Sequence, residues 1–144
     1  MNDPYHPTTE YLDAGECWRL MASQATGRIA AVIAGRIELF PINLAIIDET
    51  VVMRTAPGTM MSTLIAAPEV VVEADGSEYR ERVPHVWSVL VRGHASRVDS
   101  VDEEEDLDEH GPQPWQAGVK NEFIRIRANE ISGRRFPVTG DTRE

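Results

Sequence analysis

RIAAVIAGRIELFPINLAIIDETVVMRT, residues 28–55, decides the fold. Three apolar segments, 28–33, 36–47 and 50–55, are joined only by Ala34-Gly35 and Asp48-Glu49. Links this short cannot carry a parallel crossover, so the stretch reads as an antiparallel meander. Pro41 lies inside the second segment, where it removes a ladder donor and predicts an edge, a bulge or a bend.

Downstream, residues 59–66 have helical spacing and stop before Pro68. Residues 69–73 form a short, nearly all-apolar strand, the polar stretch 75–84 reads as a loop, and 85–98 is the longest strand. A further strand covers 122–128 and a last extended piece 131–136. Upstream, Asp13 and Glu16 mark a helix start, with Leu12 and Cys17 as a hydrophobic staple. Cys17, Leu20 and Met21 share one face of that helix, and Gly27 suits a left-handed stop after it. Residues 1–10 read as a loosely held arm and 11–144 as a single domain. The result is a mainly β chain with short helices and six or so antiparallel strands. Closure into a small barrel would remove its exposed edges.

Strand parity shows which faces are buried. Trp87, Val89, Val91, Gly93 and Ala95 share a side and form a core face. Ser88, Leu90, Arg92 and His94 share the other, which is too mixed for simple exposure. A second subunit, a ligand or plain solvent are the open alternatives for that face.

The net charge of −10 is concentrated in one place. Eight acids and no base fall within residues 99–109, leaving about −2 for the remainder. Ser100 with Glu103 makes a capping box, so this run reads as a short solvated acidic helix. A calcium loop starting at Asp102 fails, because Leu107 stands where the glycine belongs and Gln113 where the bidentate glutamate belongs. Lys and Arg nowhere cluster with aromatics, which argues against nucleic acid as a partner. No apolar run approaches the ~20 residues of a membrane span, and the start of the chain lacks the pattern of a signal peptide. With a single cysteine, this points to a cytoplasmic protein. Cys17 itself reads as a buried small hydrophobe rather than a nucleophile.

No catalytic signature emerges. The four histidines lack metal-ligand spacing, one cysteine cannot build a zinc cage, and His85 and His94 fall on opposite faces of one strand. Gly-x-Ser-x-Gly, Walker and Gly-x-Gly-x-x-Gly patterns are absent. Chemistry here would therefore come from a bound cofactor. The segment Met53-Arg54-Thr55-Ala56-Pro57-Gly58-Thr59-Met60 offers a place for one. A strand ending in a cation and a hydroxyl, then a Pro-Gly turn and a helix N-terminus, brings unpaired amides and a positive dipole to one point. The competing interpretation is an ordinary strand–turn–helix connection with a solvent-facing arginine.

Several short motifs, in order, resemble the pyridoxamine 5′-phosphate oxidase-like split-barrel superfamily, which binds FMN or deazaflavin. They are Gly27-Arg28, Phe40-Pro41-Ile42-Asn43, Arg54-Thr55-Ala56-Pro57-Gly58-Thr59, Trp87 to Gly93, Pro114-Trp115 with Gly118, and Ile131 to Arg135. The resemblance covers nearly everything from Leu12 to Phe136, most closely to small actinobacterial-type members. It implies a six-stranded antiparallel split barrel, a homodimer, and two cofactors in grooves between subunits. By position, Arg54 and Thr55 would contact the phosphate and ribityl chain, and Gly58 and Thr59 would donate to the phosphate. Pro41, Ile42 and Asn43 would run beside the ring, and Ser88 would reach it from the partner subunit. Trp87 fits the core better, Trp115 serves as a lid or a plug, and Arg134 and Arg135 either reach phosphate or stay solvated.

One departure stands out. Many relatives carry a lysine directly after Gly-Thr, pairing with the phosphate, where this chain has Met60. Losing a charge-assisted hydrogen bond of ~1.5–3 kcal/mol weakens binding by about tenfold to a hundredfold. The resemblance thus implies an FMN- or deazaflavin-dependent oxidoreductase that passes hydride to or from a small planar substrate. The alternatives are a non-catalytic binder of flavin, haem or another flat ligand, and a dimer whose cofactor site has decayed and binds none.

Overall fold

The computed structural model describes residues 8–55, 58–112 and 122–138. Ten elements follow one another: β1 (Glu10–Tyr11), α1 (Ala14–Ala22), β2 (Thr26–Ile33), β3 (Arg36–Ile46), β4 (Val51–Thr55), α2 (Thr59–Ala66), β5 (Val70–Arg80), β6 (Val83–Arg97), α3 (Val101–His110) and β7 (Glu122–Pro137). The sheet order is β1-β7-β4-β3-β2-β5-β6, and β6 also pairs with β7. Six strands therefore close into an antiparallel ring, with the two-residue β1 hung on β7.

Three hairpins set the register. Ala34-Gly35, Asp48-Glu49 and Glu81-Arg82 all have positive φ at both residues. That is the conformation whose twist matches flanking antiparallel strands across a two-residue loop. The third hairpin corrects the reading of 75–84 as a loop: β5 and β6 stay paired from Val70↔Gly93 to Arg80↔Val83. Polar residues hid this strand because its far half leaves the core. The two C-terminal pieces are likewise one strand, β7, bent against β6 at a register shift between Arg92 and Gly93. A Cβ on Gly93 would collide with the Arg127 carbonyl, so only glycine permits that bend. Gly27 needs correction too. It does not stop a helix but sits inside β2, where a Cβ would lie 2.5 Å from the Glu73 carbonyl. Pro41 pairs only with β2, because β4 joins β3 from Asn43 onward, so the proline occupies a one-sided edge.

The barrel interior is filled by alternate residues of every strand, among them Ile29, Leu44, Met53, Val72, Val89 and Ile126. Trp87 and Val91 belong to it, as strand parity predicts. The first helix starts at Asp13, whose carboxylate accepts from the Glu16 amide at 2.8 Å, and packs Cys17, Leu20 and Met21 into the core. The Cys17 thiol is wholly buried, and that burial, with Asp13 and Glu16 nearby, pushes its pKa up, away from nucleophilic use. At the N-terminus Glu10, assigned to the arm, is held in β1 opposite Arg135. Among the described residues no helix is long and apolar enough to cross a membrane.

Candidate functional site

Register places three of the nine expected cofactor residues, Pro41, Asn43 and Arg54, on one face. Asn43 of β3 lies opposite Arg54 of β4, and Arg54 lies opposite Phe123 of β7. Met53 faces the barrel interior, so Asn43, Arg54 and Phe123 form a row on the outer wall. Pro41 continues that face along β3, whereas Ile42 points inward and is only 4% exposed. Only the Ile42 backbone is available to a ligand. Helix α2 begins just beyond β4, capped by Gly58 at φ +149, a conformation that suits glycine alone. Its cap contributes no side-chain hydrogen bond to the first turn. Ser88 also lies on the outer face, but on β6 opposite Arg134, whereas Arg54 lies opposite Phe123, eleven residues or about 35 Å away along β7. One copy of the chain does not unite it with Arg54. The Thr59 side chain, Pro57, Trp115 and Gly118 fall outside the described residues.

The Arg54 side chain is nine-tenths buried. Its guanidinium stacks 5.1 Å from the centre of the Phe123 ring. Nη2 donates to Asp108 of α3 at 2.7 Å, and Nη1 donates to the Pro112 carbonyl at 3.4 Å. Nε is buried and has no partner among the described residues. An unmatched donor on a buried cation is costly, and it is the feature an incoming anion would relieve. Thr55 donates from its hydroxyl to the Met60 sulfur at 3.7 Å, and the Met60 side chain packs against the core. The position of the missing lysine is therefore filled by a thioether turned inward.

The sequence hides three further participants. Asp108 and Pro112 come from the acidic helix and the residues after it, and Phe123 comes from β7. Nothing local marks them, since all three are more than fifty residues from Arg54. Arg135 carries the opposite lesson. Expected at phosphate or in solvent, it is 1% exposed and bound by Glu10, Glu16 and Glu78 at 3.0–3.2 Å. Each of its three nitrogens already donates to a carboxylate, while its neighbour Arg134 is exposed.

The outer wall beyond the site is open and apolar. Val32, Ile37 and Leu39 are 57%, 82% and 63% exposed. Val32 lies opposite Ile37, and Ala30 lies opposite both Leu39 and Val71. These large aliphatic side chains are contiguous, not scattered singly over the surface.

Similar proteins place this architecture. Over 137 residues the chain is 29% identical to the uncharacterized protein Rv0080 of Mycobacterium tuberculosis, covering 92% of this chain and 87% of that one. Among solved structures it is 33% identical to the FAD binding protein from Mycobacterium smegmatis, with a TM-score of 0.70, covering 89% and 98% of the two chains. An FAD-binding protein from Mesorhizobium loti, 22% identical over 91% of this chain and 98% of its own, shares the fold at a TM-score of 0.76. The family model for pyridoxamine 5′-phosphate oxidase matches residues 13–135, and the chain belongs to that family.

Proposed function

We propose that two copies of this chain hold a flavin between them, FMN or a deazaflavin coenzyme, and act as an oxidoreductase on a small planar substrate. The observation that carries this reading is Arg54: nine-tenths buried, opposite Asn43, with Nε unmatched. Arg54 would hold the phosphate together with Thr55 and the amides at Gly58 and Thr59. Pro41 and Asn43 would line the flat part of the molecule from the same wall, and Ser88 of a second copy would close the groove. When bound, the flavin ring supplies reversible hydride acceptance. The protein then has to orient the ring and exclude water, tasks that need no acid or base of its own. The M. smegmatis relative, named as an FAD binding protein, supports a flavin as the ligand class.

The second copy is supported by the patch of Ala30, Val32, Ile37 and Leu39, which lies beside Pro41 on the same face. Light scattering should give twice the 16.1 kDa chain mass, and Leu39→Glu should halve it.

Visible absorption of the purified protein, followed by titration with FMN and the deazaflavin coenzyme, tests the reading. Reduction of the bound cofactor with turnover of an acceptor supports the oxidoreductase. Binding without turnover would favour a carrier, a reading the inward-turned Met60 favours because it weakens the phosphate grip. Met60→Lys should raise FMN affinity about tenfold, and an unchanged affinity would move the phosphate away from α2.

A further inference from the structure

We propose that Asp108 is an internal stand-in for the cofactor phosphate: it pairs with Arg54, and α3 must release it before a phosphorylated ligand can bind. This deepens the reading above and rests on Arg54 being the anion site.

Three observations carry it. First, the two partners are unequal. The Arg54 side chain is 9% exposed, whereas that of Asp108 is 65% exposed. A mostly solvated carboxylate reaches a mostly buried cation, so the carboxylate can leave without being stranded, while the arginine cannot. Second, the pair is incomplete. Asp108 and the Pro112 carbonyl each take one of the two terminal nitrogens, and among the described residues the buried Nε has no partner. A phosphate with three acceptor oxygens can satisfy what one carboxylate oxygen does not.

Third, α3 is lightly seated. Among the described side chains of the helix, Leu107 is the buried apolar one, packed with Val52, Val98 and Phe123. A cavity of about 370 Å³, lined by Val52, Glu103, Leu107 and Arg125 among others, lies between the helix and the wall. Its acids stand in like-charged pairs four residues apart, Asp102 with Asp106, Glu104 with Asp108 and Glu105 with Glu109, which weaken the isolated helix. Two arginines hold it to the barrel: Arg54 through Asp108, and Arg125 through Glu103 at 2.6 Å. The helix therefore depends on the cation that the phosphate would claim.

The consequence is selective. Displacement of Asp108 should penalise ligands with a terminal phosphate and leave the same ring without one unaffected. FMN and riboflavin differ by that group alone, so the ratio of their affinities reads the competition directly. We expect Asp108→Asn to raise the FMN-to-riboflavin affinity ratio about tenfold through tighter FMN binding. Asp106→Asn is the control: it removes the same charge from the same helix, but Asp106 pairs with His110 rather than Arg54. Its ratio should stay within about twofold of wild type. An unchanged ratio in Asp108→Asn, or an equal rise in both variants, would overturn the proposal. Arg54→Gln separates this failure from that of the site itself. If Arg54→Gln leaves FMN binding intact, or if neither flavin binds any variant, the phosphate site is misplaced and the proposal falls with it. Thermal unfolding of each ligand-free variant checks that all are folded.

Discussion

Two arginines in this barrel are withdrawn from solvent, and they differ in what is left over. Arg135 is 1% exposed and has all three nitrogens engaged: Nε and Nη2 with Glu10, and Nη1 with Glu16 and Glu78. Arg19 and Arg80 join the same carboxylates, so three cations meet three anions from β1, α1, β5 and β7. Arg54 is 9% exposed, meets one carboxylate, and keeps a buried donor unmatched. Burial alone thus does not identify a binding residue. A buried nitrogen with no partner does, because a ligand can satisfy it, whereas nitrogens already bonded to carboxylates gain little from one.

The largest effect should follow from breaking the closed network. Arg135→Ala leaves Glu10 without its partner, and Glu16 and Glu78 with Arg19 and Arg80 alone, beside a cavity. Removing one partner of a buried ion pair costs about 3–5 kcal/mol, and about 2–3 kcal/mol is expected here because the remaining carboxylates are partly solvated. Denaturant unfolding should show a loss of that size, with flavin affinity in the remaining folded protein changed by less than about threefold. A loss under about 1 kcal/mol would mean the cluster is solvated in solution, and the contrast with Arg54 would vanish.

Arg54→Gln should behave in the reverse way. It removes one half-exposed ion pair and one stacking contact with Phe123, together worth about 1 kcal/mol of stability. Its cost in FMN affinity should be larger, about 1.5–3 kcal/mol or tenfold to a hundredfold. Equilibrium titration and denaturant unfolding on the same preparation give both numbers. If stability falls more than affinity, Arg54 is a second structural arginine.

The contrast also marks how far the sequence could be read. Elements built from local rules were legible: the Asp13 cap, the two-residue turns at Ala34-Gly35 and Asp48-Glu49, α2 from Thr59, and the Ser100 cap of α3. The Arg54-Thr55 segment stood out because strand, cation, turn and helix are contiguous. The β5–β6 hairpin was not legible, since its distal half is polar and stabilised by pairing rather than burial. Arg135 was ambiguous for a related reason. Parity with Gly133 aims it inward, yet its partners Glu10, Glu16 and Glu78 come from three distant segments. The acidic helix was read as wholly solvated, and most of it is. What escaped was the tertiary docking of Leu107 and Asp108, two residues in a run of acids.

A third arginine sharpens the comparison through pH. Arg28 on the open face meets both Glu73 at 3.2 Å and Asp75 at 3.0 Å, so one cation serves two carboxylates. Burial first, then the neighbouring Asp75, raises the Glu73 pKa to about 7. In the Arg135 cluster the hydrogen bond from Arg19, joined by that from Arg135, holds Glu16 below the usual carboxylate range despite burial. The two carboxylates therefore push stability in opposite directions. Glu16 binds its proton less tightly in the folded state, so its contribution is present above about pH 4.5 and lost as pH falls. Glu73 binds its proton more tightly when folded. Its contribution is full below about pH 4.5 and lost as pH rises through about 7. Glu73→Gln mimics the protonated form at every pH. The variant should match wild type at about pH 5 and exceed it at about pH 8, by on the order of 1 kcal/mol once partial exposure is discounted. Unfolding in urea at the two pH values measures the difference. An equal gap at both would show that Arg28 neutralises the pair fully, and that sharing one cation between two acids does not strain this face as Glu73 implies.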